Sequence, residues 1–120
     1  MLVRAIRGAT TVDTNNVEEI LNETKLLLLK IAEKNELKKE DIISIIFTVT
    51  GDLNAAFPAE AARQIGWTNV ALMCTNEISV PGSLEKCIRV LAHVYTIKNL
   101  KDIRHIYLNN AKRLRPDLEG

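Results

Sequence analysis

The nine residues "IISIIFTVT", 42 to 50, constrain this chain most. They are almost continuously apolar and mostly β-branched, which disfavours helix and predicts an extended strand covered on both faces. Such a strand needs neighbours, and four other segments supply them. "CIRVLAHVYT" (87 to 96) is rich in β-formers and places Cys87, Arg89, Leu91, His93 and Tyr95 on one face. "RAIRGATTV" (4 to 12), "NVALMCT" (69 to 75) and "IRHIYL" (103 to 108) complete a set of about five strands.

Two segments between them read as helices. Asn16 is a candidate N-cap with Glu19 three residues on, in the manner of a capping box. Behind it Val17, Ile20, Leu21, Thr24, Leu27, Leu28 and Ile31 recur at helical spacing, predicting a helix over 17–35 with an apolar stripe. Pro58 suits the first turn of a short helix in "PAEAARQIG", which Gly66 can end in the left-handed region. "VPGSLEK" (80 to 86) carries a Pro-Gly turn. The pattern is α+β or α/β-like: a mixed sheet of about five strands with helices on one face. Two helices leave the other face bare, and a homo-oligomer is the natural cover.

At 120 residues the chain fits a single domain, 1–120, with about 110–120 expected as a mobile C-terminal tail anchored by little beyond Leu114 and Leu118. A net charge of +1 makes no field that would gather nucleic acid or an anionic membrane. Cys74 and Cys87 lie in no CxxC or Cys/His pattern, so no metal site or redox motif is indicated, and free thiols in a reducing cytoplasm are expected. No signal-peptide pattern appears at Met1 and no apolar run approaches membrane-spanning length, so a soluble, unexported protein is expected.

Against this background the arginines stand out. Arg7 shares a strand face with Val3, Ala5 and Ala9, and Arg89 repeats the anomaly in another strand. An arginine buried there would be costly without an anion to meet it. Tyr107 adds a phenol in a third strand, Glu77 follows "CTN", and Arg115 lies in the tail. Singly, each fits an ion pair or a water-facing edge. Together they read as a pocket for a small polar dianion, because guanidinium groups grip carboxylates bidentately and a carboxylate accepts a hydroxyl proton. His93 and His105, isolated in strands, read as hydrogen-bonded structural residues, and no nucleophile triad or phosphate loop emerges.

Four ordered motifs, "VRAIRGATTV", "FPAEAAR", "CTNEISVPGSLEKCIRV" and "IRHIYLNNAKRLRPDL", span the chain nearly end to end. They resemble the trimeric, mixed α/β class of chorismate mutase, distinct from the all-helical class. The resemblance implies a homotrimer with a pseudo-α/β-barrel core, active sites in clefts between subunits, and rearrangement of chorismate to prephenate without cofactors in the shikimate route to phenylalanine and tyrosine. By similarity Arg7 meets a carboxylate with help from Tyr107, Glu77 accepts from the ring hydroxyl, and Arg89 reaches a carboxylate and the ether oxygen. Met73, Cys74, Thr75 and Asn76 line the ring, Phe57 gives an apolar wall, and Arg63 and Arg115 lie at the cleft mouth. Glu60, an acid at that mouth, departs from the expected basic character. An imine or enamine deaminase of similar trimeric shape, and a non-catalytic module binding a chorismate-like ligand, remain open alternatives at this point.

Overall fold

The computed structural model describes residues 1–115. Five strands, β1 (Leu2–Thr11), β2 (Ile42–Val49), β3 (Ala71–Asn76), β4 (Cys87–Thr96) and β5 (Ile106–Tyr107), form one mixed sheet in the order β3-β2-β4-β1-β5. β4 lies antiparallel to both β1 and β2, whereas β3 runs parallel to β2 and β5 parallel to β1. Two helices, α1 (Val17–Lys34) and α2 (Ala59–Gln64), cover one face.

The N-terminus of α1 departs from the expected box in one detail. Asn16 caps it by accepting from the Glu19 N–H at 2.8 Å. The Glu19 carboxylate turns outward to the backbone N–H groups of Asp13 and Thr14, because the Asn16 N–H is already donated to the Thr14 carbonyl. Gly66 ends the α2 segment at φ +91°, as its position predicts.

The core lies between sheet and helices. Leu27, Leu28 and Ile31 of α1 pack with Ile6, Ile45, Phe47, Val90, Ala92 and Val94. Gly8 lets the helix come this close: a Cβ there would stand 2.8 Å from Ile31 Cδ1 and 3.1 Å from Val90 Cγ2. The adjacent Arg7 therefore projects to the opposite face, which strand alternation requires.

β2 corrects its expectation. Ile45, Phe47 and Val49 are buried under the helices, but Ser44, Ile46 and Thr48 are only half-covered, so among the described residues one face alone is covered. The uncovered face carries Val3 at 54% exposure, Met73 at 63% and Tyr95 at 45%. Arg7 and Arg89 are likewise exposed, so among the described residues the strand arginines are not buried.

The fifth strand is shorter than "IRHIYL" predicts. The buried Asn35 amide takes the place of a strand partner, accepting from the Arg104 N–H at 2.8 Å and donating to the Arg104 carbonyl at 2.9 Å. The His105 ring accepts the Arg7 N–H at 2.9 Å, so side chains do locally what a backbone ladder does elsewhere. After β5 the chain forms 3-10 turns over Asn109–Leu114, with Ala111 fully buried and Asn109 bonded to Thr10, Thr11 and Glu23. The start of the expected tail is therefore a docked turn, and its remainder, with Leu118, lies outside the described residues.

Candidate active site

Strand register brings together residues far apart in sequence. In the β1/β4 pair Arg7 stands opposite Leu91 and Ala9 opposite Arg89, so both arginines rise from the same uncovered face on adjacent strands. β5 sets Tyr107 opposite Ala9, with the ring buried. On the other flank Thr48 of β2 stands opposite Arg89. Glu77 follows β3 directly, and its N–H donates to the Val49 carbonyl at 2.9 Å.

These residues line a cavity of about 550 Å³ containing Arg7, Glu77, Arg89, Tyr107 and Arg115, walled by Ile46, Leu91 and Leu114. Five of the residues expected at the site are thus in one place. A polar groove of about 760 Å³ opens beside it, sharing Arg89 and Leu114 and adding Lys86 and Arg113. Arg89 Nε lies 3.5 Å from Glu77 Oε2, and the Thr48 hydroxyl donates to that same oxygen. Thr48 and Leu114 line this cavity although neither is among the site residues expected from sequence. Thr48 had left a signal: a hydroxyl in an apolar run, on the same strand parity as Ile46.

Two titratable neighbours are tuned by this setting. The His105 Nδ1 accepts a backbone proton, so the neutral ring carries its proton on Nε2. Partial burial, then the positive charges of Arg7 and Arg115, hold its pKa below the ordinary histidine value. Cys87 is buried, and this desolvation pushes its thiol pKa up despite the opposing pull of Arg89. Cys74 and Cys87 are both free thiols, and His93 bonds the Ser44 hydroxyl at 3.1 Å.

The other expected residues gather elsewhere. Phe57, Cys74, Thr75 and Asn76 line a second cavity of about 350 Å³ under the 53–58 loop. Cys74 packs toward the main core, while Phe57 is 72% exposed and Met73 faces outward from the uncovered sheet surface. Arg63 sits on α2, bonded to Glu60 at 2.8 Å, and lines neither cavity. Thr48 and Val49 are successive residues with opposite facing, so the two cavities flank the same strand end from opposite sides.

The sequence aligns with the family model "Chorismate mutase type I" over residues 3–118. The chain belongs to the type I chorismate mutases. Within that family it is 49% identical over 119 residues to chorismate mutase AroH of Bacillus subtilis (strain 168), covering 98% of this chain and 94% of the relative. It is 52% identical over 120 residues to chorismate mutase AroH of Thermus thermophilus, covering 99% and 98%. The solved chorismate mutase from Clostridium thermocellum superposes with a TM-score of 0.91 at 67% identity, covering 92% of this chain and 98% of that one.

Proposed function

We propose that the protein catalyses the rearrangement of chorismate to prephenate, an isomerase step in aromatic amino-acid biosynthesis, as a cytoplasmic homotrimer whose active sites are each shared by two subunits. The observation that carries the reaction is the cavity in which Arg7, Arg89, Arg115, Glu77 and Tyr107 converge. Chorismate carries two carboxylates, a ring hydroxyl and an ether oxygen, and these five side chains match that inventory.

In this reading Arg7 and Tyr107 hold one carboxylate, Arg115 adds positive charge at the mouth, and Glu77 accepts from the ring hydroxyl. Arg89 meets the ether oxygen. In a Claisen rearrangement the carbon–oxygen bond breaks as the carbon–carbon bond forms within one molecule, and no nucleophile is needed. The protein contributes by holding the compact conformer and by placing a fixed cation where the ether oxygen gains charge. The exposed position of Arg89 suits this, since its side chain is held by Glu77 yet keeps 47% of its surface open to an incoming ligand.

The second cavity supports the shared site. Phe57, Cys74 and Asn76 lie on the other side of the strand end from Thr48 and Arg89, whereas Thr75 shares the Thr48 face through the β2/β3 pairing, so within one chain the Phe57 group is not presented to the arginine cavity. A second subunit docked on the uncovered face brings its own Phe57 group, with Arg63 and Met73, to the arginine cavity. The same docking removes Val3, Met73 and Tyr95 from water. Glu60, ion-paired to Arg63, then tempers the charge at the entrance.

Following chorismate absorbance with product identification, on protein whose mass is measured by sedimentation, tests this. Prephenate formed by a trimer is expected. Absence of turnover overturns the reaction, and full activity in a monomer overturns the shared site.

A further inference from the structure

The geometry points to Thr48 as a positioning residue that locks one oxygen of Glu77 and leaves the other to receive the ring hydroxyl of the substrate. This inference rests on the reading of Glu77 as the hydroxyl acceptor.

Three observations converge on it. The Thr48 hydroxyl donates to Glu77 Oε2, and Arg89 Nε approaches that same oxygen at 3.5 Å. Register sets Thr48 directly opposite Arg89, so the hydroxyl that donates to Oε2 and the guanidinium ion-paired to it stand side by side on one face of the sheet. The Glu77 backbone is pinned by its N–H bond to the Val49 carbonyl, so the side chain swings from a fixed root.

A carboxylate at the end of three rotatable bonds, with only a guanidinium 3.5 Å away to orient it, samples several orientations. A hydroxyl donor on a rigid strand removes that freedom. With the Thr48 hydroxyl bonded to Oε2 and the Arg89 guanidinium beside that same atom, Oε1 is in this reading the oxygen turned to the substrate hydroxyl. Thr48 also lines that cavity, so its hydroxyl stands beside the substrate without being needed as a direct ligand. A valine here keeps the β-branched shape that β2 needs and deletes only the donor. A serine keeps the donor and deletes the methyl.

The test is steady-state kinetics with chorismate on Thr48→Val, Thr48→Ser, Glu77→Ala and the Thr48→Val/Glu77→Ala pair, with assembly and thermal unfolding checked in each. Thr48→Val is expected to lose about tenfold or more in kcat/KM, the loss for removing a hydrogen bond to a charged group. Thr48→Ser should stay within about threefold of the parent, since the donor is retained. In the Glu77→Ala background the valine substitution should cost less than about twofold, because a residue that acts through another has nothing left to act on. A chorismate analogue with hydrogen in place of the ring hydroxyl should likewise erase the Thr48→Val penalty.

Thr48→Val with parental kinetics, an equal loss in both backgrounds, or a serine variant worse than the valine variant each overturns the positioning role. If Glu77→Ala itself keeps parental kinetics, the reading of Glu77 falls and takes this inference with it. If Glu77→Ala is damaged and Thr48→Val is additive to it, only the role of Thr48 falls.

Discussion

Arg89 Nε lies 3.5 Å from Glu77 Oε2, an ion pair between the middle strand of the sheet and the residue after its edge strand. With about half of the Arg89 side chain open to solvent, the pair adds little to stability. Its consequence is orientation: the guanidinium is tethered beside the cavity with part of its surface still open.

Arg89 and Arg7 are expected to fail differently when removed. Arg89 faces charge that grows only as the ether bond stretches, so Arg89→Ala should lower saturated kcat by about 100-fold to 1,000-fold, the usual loss of one donor to a developing anion. Arg89→Lys keeps the charge but not the planar fork, and should recover only part of this. Arg7→Ala removes a grip used before and during the reaction and should chiefly raise KM. Steady-state kinetics on folded, assembled variants separates these outcomes, and a near-normal kcat for Arg89→Ala contradicts the mechanism.

Gly8 sits beneath α1 with Ile31 Cδ1, Val90 Cγ2 and Leu27 Cδ1 around the place a Cβ would take. Gly8→Ala should therefore destabilise the fold by about 1–3 kcal/mol through overpacking, even though alanine is the better strand former. Denaturant unfolding at constant protein concentration measures this, and an unchanged midpoint would mean that α1 shifts without cost.

Stability should fall as the solution is acidified through the histidine range. Because burial and the nearby Arg7 and Arg115 charges hold the His105 pKa below the ordinary value, the unfolded chain binds a proton there before the folded one does. The loss begins below about pH 6.5, the ordinary histidine pKa, and is complete below the lowered folded value. Protonation also removes the acceptor of the Arg7 N–H. Comparing urea midpoints at neutral and acid pH for the parent and His105→Gln should show a smaller acid loss in the variant. Equal losses in both proteins would place the titrating group elsewhere.

Truncation after Ala111 keeps the buried Ala111 anchor and removes Leu114 and Arg115, two walls of the arginine cavity. The strand arginines remain, so kcat/KM should fall while kcat at saturation is largely kept. A severe drop in saturated kcat would instead mean that this segment positions the reacting atoms, and single-turnover measurements distinguish the two.

Much of this architecture was readable from local pattern. β4 occupies the ten residues of "CIRVLAHVYT", and α1 runs from its Asn16 cap over the predicted apolar stripe, because alternation and helical spacing are properties of a few neighbouring residues. The same alternation placed Arg7 and Arg89 on the faces they occupy. The shared motifs carried the family, and with it the roles expected for the arginines, Glu77 and Tyr107. What only the tertiary structure decided depends on meetings across sequence distance. The fifth strand is cut short because Asn35, 69 residues away from Arg104, satisfies that backbone with its amide. Thr48 becomes part of the site because β2 happens to register against Arg89 and ends beside Glu77. Phe57 and Cys74 part from the arginine cavity because they lie across the sheet from it. Hydrophobic period and cap chemistry act over a turn or a strand, whereas register, side-chain substitution for a ladder and the sidedness of a cavity exist only once distant segments are packed together.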